Sequence, residues 1–232
     1  MSYLWQEFNI KTFPAETLVF RDGVFCKDLS DYECANFNEK DNIITIIKKS
    51  NLPVHIIYIG EITGNINLSI DILVPDTKVI MSMKITNKKP AFLNIFIKNT
   101  GKKSLFDGQI ISQNYTSLEI DINGQHLCEN TGIFVKTRVL AHKQSETTLK
   151  GFAKIDKNCK LCDSNISFSV MADETAKIIL NPNQFIQSVP NKAIHSAYLY
   201  KPNENQINYL RGSGLSGVEV KNILEEAFLS EQ

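Results

Sequence analysis

The chain has 232 residues, 43% of them hydrophobic and 22% charged, a balance that supports a sizeable buried core and excludes a wholly disordered chain. Lysine plus arginine and aspartate plus glutamate each number 25, and a net charge of zero argues against nucleic acid as the main partner, because phosphate binding needs a basic excess. No apolar run reaches the ~18 to 20 residues of a membrane span, and the segment from Met1 to Phe8 has neither the basic start nor the long apolar stretch of a signal peptide, so a cytoplasmic protein is expected.

In chain order, Leu18-Val19-Phe20 and Val24-Phe25 flank Asp22-Gly23, the signature of a tight hairpin. Period-2 stretches follow. Ile66, Leu68, Ile70 and Ile72 alternate with polar residues, as do Val79, Met81, Met83 and Ile85, and then Leu93, Ile95 and Ile97. Leu118, Ile120 and Ile122, then Ile133 and Val135, then Ile166, Phe168 and Val170 continue the pattern. Each reads as a half-buried strand. Pro75-Asp76, Asn87 to Pro90, Asn99-Thr100-Gly101 and Asn123-Gly124 read as turns between them.

Strand starts recur about every 12 to 15 residues, the spacing of all-β sandwiches, barrels and solenoids, and periodicity alone does not choose among these. No helical pattern of comparable strength interrupts them, which disfavours a doubly wound α/β sheet.

The end of the chain differs. Ser216 precedes Glu219 by three, a capping-box pattern, and Val220, Ile223, Leu224, Ala227 and Phe228 then share one helical face. A second short helix is expected over about Glu204 to Leu210, with Ile207 and Leu210 inward and the glycines at 212 and 214 marking the turn. The division is therefore a β body over 1–199 and a helical segment over 200–232. The apolar stripe either packs on the β body or forms a docking surface.

Five cysteines, Cys26, Cys34, Cys128, Cys159 and Cys162, are an odd number in a chain without a leader, which points to free thiols and not a disulfide framework. Cys159-Lys160-Leu161-Cys162 is half of a zinc site, since structural zinc takes four ligands. It also lacks the βαβ context of thioredoxin-like chemistry. Two ordinary loop cysteines are the plain alternative. Lys157 and Lys160 flank the pair, and such cations would lower a thiol's pKa. Among the histidines, His55 and His195 sit in strand-like runs and read as structural, whereas His126 and His142 lie near turn-like segments and read as solvated. There is no Gly-x-x-x-x-Gly-Lys phosphate loop and no Gly-x-Ser-x-Gly elbow, so any nucleotide chemistry belongs to another subunit.

The last third of the chain resembles the SufB/SufD family of iron–sulfur cluster assembly proteins. The resemblance rests on His195-Ser196-Ala197, on Gln206-Ile207-Asn208-Tyr209-Leu210, and on Gly214-Leu215-Ser216 with Glu219 and Phe228. Pro182, thirteen residues before His195, and Asn158 to Ser164, similar to the Cys-Asp-Ser segment of SufB, extend it upstream. It is strong over about 150–232 and diffuse before that, through Asn130 to Val139 and Gly151, with a short SufD-like hairpin at Val19 to Gly23. The chain is shorter than typical SufB or SufD, as though their N-terminal region were missing.

The resemblance implies a right-handed parallel β-helix, a solenoid ending in helices. It also implies a scaffold with no catalysis of its own. Such a scaffold pairs as a homodimer or a SufB/SufD-type heterodimer, docks a SufC-like ABC ATPase, and receives sulfur from a cysteine desulfurase. Cys162 corresponds to the SufB cysteine that takes up sulfur and holds the transient iron–sulfur cluster, and His195 to the histidine of the His-x-Ala element. A soft thiolate and a borderline imidazole both suit iron, with Cys159 as an additional thiol for the metal. The two residues are 33 positions apart, about two coils at the strand cadence. The chain departs from the family pattern at Ser196, where SufB has Glu, at Ala193, where SufD often has Cys, and at Ser213, in place of the Arg of an Arg-Gly turn. A SufD-like structural partner that binds the ATPase and holds no cluster is the alternative. An enzyme on a β-helix, such as a polysaccharide lyase, is disfavoured by the absence of an acidic cluster.

Overall fold

The computed structural model describes residues 16–230; Met1 to Phe8, read above for a leader, lie outside the described residues. Among the described residues fifteen strands, with one short 3-10 turn at Lys27–Leu29, precede two α-helices. The first four strands are β1 (Thr17–Arg21), β2 (Val24–Phe25), β3 (Ala35–Asn38) and β4 (Ile43–Ile46). The longer ones are β5 (Val54–Glu61), β6 (Gly64–Ile72), β7 (Lys78–Asn87), β8 (Ala91–Asn99), β9 (Leu105–Asn114), β10 (Ser117–His126), β11 (Gly132–Ala141), β12 (Glu146–Ile155), β13 (Asp163–Ala172), β14 (Lys177–Ile186) and β15 (Lys192–Tyr200). The helices are α1 (Glu204–Gly212) and α2 (Gly217–Ser230).

Odd- and even-numbered strands segregate into two sheets. One runs β15-β13-β11-β9-β7-β5-β1-β2 and the other β14-β12-β10-β8-β6-β4-β3. Pairing is parallel from β5 and β4 onward, and among the described strands the antiparallel pairs are β1–β2 and β3–β4. A strand therefore pairs with the next strand but one, and the chain climbs as a parallel β-helix of about six coils.

Register explains the alternation. Val79, Phe106, Ile133, Ser164 and Ala193 form one inward column, and Met81, Gly108, Val135, Ile166 and His195 the next. On the facing sheet Leu93, Ile120, Leu149 and Leu180 stack likewise. Asn123-Gly124 is not a turn but lies within β10. A Cβ at Gly124 would stand 3.2 Å from Ile133 Cγ2, so packing across the coil, not turn chemistry, accounts for the glycine. At one corner Asn87 Nδ2 donates to Asn114 Oδ1 at 2.9 Å, and Asn114 Nδ2 donates to Thr147 Oγ1 at 2.7 Å, giving a ladder that pairs the buried amide donors.

The two ends of the solenoid differ. At the N-terminal end the β1–β2 hairpin, with Asp22 and Gly23 both at positive φ, brings Phe20 and Phe25 against Phe37 and Tyr58. At the other end β14 and β15 are edge strands, and Ile186 and Leu199 are exposed although their register faces inward.

The helices pack on the outer face of the sheet carrying β11, β13 and β15. Val220, Leu224, Phe228 and Leu229 bury against Leu140 and Met171, with Tyr200 beside them. The expected stripe is thus rotated: Ile223 and Ala227 are exposed, and Leu229 takes their place. Asn203 caps α1 with Gln206, and Ser216 and Glu219 form the predicted box on α2. Gly212 closes α1, and Gly214 takes the positive φ in the turn.

Candidate functional site

The Cys-x-x-Cys segment is the corner between β12 and β13. Along this edge the corners 73–77, 100–104, 127–131 and 187–191 have five residues each, whereas 156–162, like the first corner at 47–53, has seven. Four corners share one conformation. Asp76, Lys103, Asn130 and Leu161 are all left-handed, with φ between 53° and 59°, and Thr77, Ser104, Thr131 and Cys162 follow them, all buried.

Backbone hydrogen bonds stack these residues. Leu105 N–H donates to Thr77 O, Gly132 N–H to Ser104 O, Asp163 N–H to Thr131 O, and Lys192 N–H to Cys162 O, at 2.8–3.0 Å. Cys162 therefore continues a column of hydroxyl residues, and Asn191 follows it. Its thiol donates to Cys128 O at 3.3 Å, and Sγ lies 3.4 Å from Thr131 Oγ1. Thr131 Oγ1 also donates to Cys128 O at 3.0 Å and lies 2.8 Å from His126 Nδ1.

His126 is fully buried, the opposite of the solvated residue that its sequence setting predicts. It ends β10 at an inward position, and burial pulls its pKa down to about 4. Its Nε2 has no partner, so the tautomer with hydrogen on Nδ1, donating to Thr131, leaves the smaller deficit: an unpaired acceptor and not an unpaired donor. His142 is half-buried, stacked on Tyr115 with ring centroids 4.0 Å apart, and desolvation lowers its pKa.

Cys159 is buried as well, in a cluster with Ile155 and Cys162. Its thiol donates to His126 O at 3.4 Å. The next corner holds it in place: Ser188 Oγ and Asn191 Nδ2 both donate to Cys159 O, and Cys162 N–H donates to Asn191 Oδ1 at 2.8 Å. Burial, reinforced by the charges of Cys162, Asp156 and Cys128, pushes the Cys159 thiol up to about 11. The lowering expected from Lys157 and Lys160 does not occur at Cys159. Both lysines are exposed, and desolvation dominates. Cys128, on the preceding corner, is the partly exposed thiol of the group.

His195 is exposed on β15, where it pairs with Ile166. Asp163 pairs with Lys192, so one coil, and not the expected two, separates Cys162 from His195. The histidine stands four residues along the strand from Cys162, roughly 13 Å at about 3.3 Å per residue. The two are neighbours on adjacent rungs but do not meet on one ion within a single chain. Among the described residues, no three His, Cys, Asp or Glu side chains gather to hold a metal. No helix among them is long and apolar enough to cross a membrane.

Residues that spacing alone missed are Thr131, His126 and Asn191. Their roles depend on the register between corners, which no local motif reports. In comparisons with known proteins, the family model described as SUF system FeS cluster assembly, SufBD core domain, matches residues 74–228, more than half of the chain. None of the curated proteins matches it.

Proposed function

The chain belongs to the SufBD core family of SUF-system iron–sulfur cluster assembly, and from that premise we propose that it is an assembly scaffold that collects sulfur on Cys162 and iron beside His195. The observation that carries this reading is the position of both residues at the uncapped end of the solenoid. Cys162 lies at the last corner before β13, one rung inside the edge strand that bears His195.

A second protomer laid against the β14–β15 end would cover Ile186 and Leu199 and bring a second set of donors to the same place. Among the described residues of one chain no three such side chains gather, and in this reading pairing, as a homodimer or with a SufB/SufD-type partner, completes the site. The cluster is transient cargo, with sulfur delivered by a cysteine desulfurase. Residues 200–232 serve as the docking segment for a SufC-like ABC ATPase, which supplies ATP hydrolysis. Cys159, buried in one cluster with Cys162, is the additional thiol in this reading.

The burial of Cys162, with 1% of its surface accessible, favours a second reading. In that reading the chain is a SufD-like structural partner that binds the ATPase and holds no cluster.

Anaerobic reconstitution with iron and sulfide, read by absorbance and iron content, tests the two. A cluster on the wild type that is lost in Cys162→Ala, with the fold intact, supports the scaffold. Folded protein without a cluster in either form favours the structural partner, particularly if a SufC-like ATPase still binds.

A further inference from the structure

The scaffold reading asks Cys162 to accept sulfane sulfur, but a cluster needs sulfide, two electrons richer. The structure points to a source for those electrons. Cys159 and Cys162 are both buried, with 2% and 1% of their surfaces accessible, in one cluster with Ile155. Their thiols are directed at the same three-residue stretch of the preceding coil, Cys159 to His126 O and Cys162 to Cys128 O. The corner that carries them is two residues longer than the three immediately before it and the one after it on that edge. The added length folds Cys159 inward under Ser188 and Asn191 instead of into solvent.

We propose that Cys159 is the resolving thiol of a persulfide formed on Cys162. This inference rests on the reading that Cys162 takes up sulfur. Cys159 sulfur attacks Cys162 Sγ, a bond forms between them, and the bond from Cys162 Sγ to the terminal sulfur breaks. The terminal sulfur leaves with the bonding electron pair and the proton given up by Cys159. Cys159–SH and Cys162–S–SH thus become the Cys159–Cys162 disulfide and hydrogen sulfide. The sulfane sulfur is reduced to sulfide, and the two cysteines supply the electrons. A thiol reductant then restores the pair.

The surroundings suit this step. Thr131 and Cys128 O fix Cys162 Sγ on the side facing the preceding coil. Cys128, the partly exposed neighbour, is the competing candidate for the resolving role.

The test loads reduced, full-length protein anaerobically with inorganic polysulfide, desalts it, and follows sulfide release by trapping with monobromobimane. Mass spectrometry of the peptide spanning both cysteines reads the bond. Wild type should release about one sulfide per persulfide and end as the Cys159–Cys162 disulfide, while Cys159→Ser should retain the persulfide on Cys162 and release sulfide roughly tenfold more slowly or less. Release at the wild-type rate from Cys159→Ser, loss of release in Cys128→Ser instead, or no sulfur on Cys162 would each overturn the proposal. The disulfide is read in the wild type, so a poorly folded variant does not decide the matter. Wild type that holds a reconstituted cluster but keeps its persulfide sinks this step alone. Wild type that releases sulfide but never holds a cluster sinks the scaffold reading alone.

Discussion

Cys162 stands one coil above Thr131 in the same corner, its Sγ 3.4 Å from the threonine hydroxyl, and that hydroxyl also joins His126 Nδ1 and Cys128 O. The thiol occupies a place that Thr77, Ser104 and Thr131 fill with hydroxyls on earlier coils. Cys162→Ser should therefore fold with little loss, within about 1 kcal/mol. Thr131→Val keeps the shape but leaves His126 Nδ1 buried and unpaired, and should cost ~1 to 3 kcal/mol. Urea denaturation of the two variants measures the difference; equal stabilities would show that Thr131 is not the hub of this corner.

His126 makes stability depend on pH. Burial lowers its folded-state pKa from 6.5 to about 4, so between those values the unfolded chain binds more protons. Its contribution is whole above about pH 6.5 and is lost as pH falls toward 4, a change of about 3 kcal/mol in all. Urea midpoints measured across that window should fall for the wild type more steeply than for His126→Gln. Parallel slopes would mean that His126 is not buried neutral.

The strands that sequence alternation reveals are those with two or more large apolar residues at successive inward positions, such as Val79, Met81, Met83 and Ile85 in β7. β9 and β12 did not declare themselves, because their inward columns carry Gly108, Ser112 and Asn114, or Thr147, Gly151 and Ala153. Small and polar residues there fit beside large neighbours one coil away, a relation that a linear pattern does not hold. Cys162 and His195 were legible only through resemblance to a family. Their one-coil separation needed the register, and the burial of His126 needed the neighbouring coils.

Gly151 tests that complementarity. A Cβ there would lie 2.9 Å from both Ile166 Cγ2 and Phe168 Cζ. Gly151→Val should destabilise by ~1 to 3 kcal/mol or more through overpacking, whereas Phe168→Ala at the same contact should cost ~3 to 5 kcal/mol through a cavity. The double variant Gly151→Val with Phe168→Ala should recover part of the sum, because each change relieves the other. Additive losses by denaturation would show that the two side chains do not share space.

The C-terminal helices separate packing from docking. Val220, Leu224 and Phe228 face the β body, and Phe228 lies against Tyr200 with ring centroids 5.4 Å apart. Tyr209, Val218 and Ile223 remain exposed, at 76%, 71% and 40%, so a docked ATPase would find its apolar contacts on that second face. Phe228→Ala should remove ~3 to 5 kcal/mol of packing, and the loss should fall on α2 before the coil stack, since the helix sits outside it. Limited proteolysis should then cut between residues 201 and 216 while the solenoid survives. Tyr209→Ser with Val218→Ser should leave proteolysis unchanged and weaken binding of a SufC-like ATPase by about tenfold or more, as loss of buried apolar anchors does. Undiminished binding in that double variant would move the docking site away from the helices.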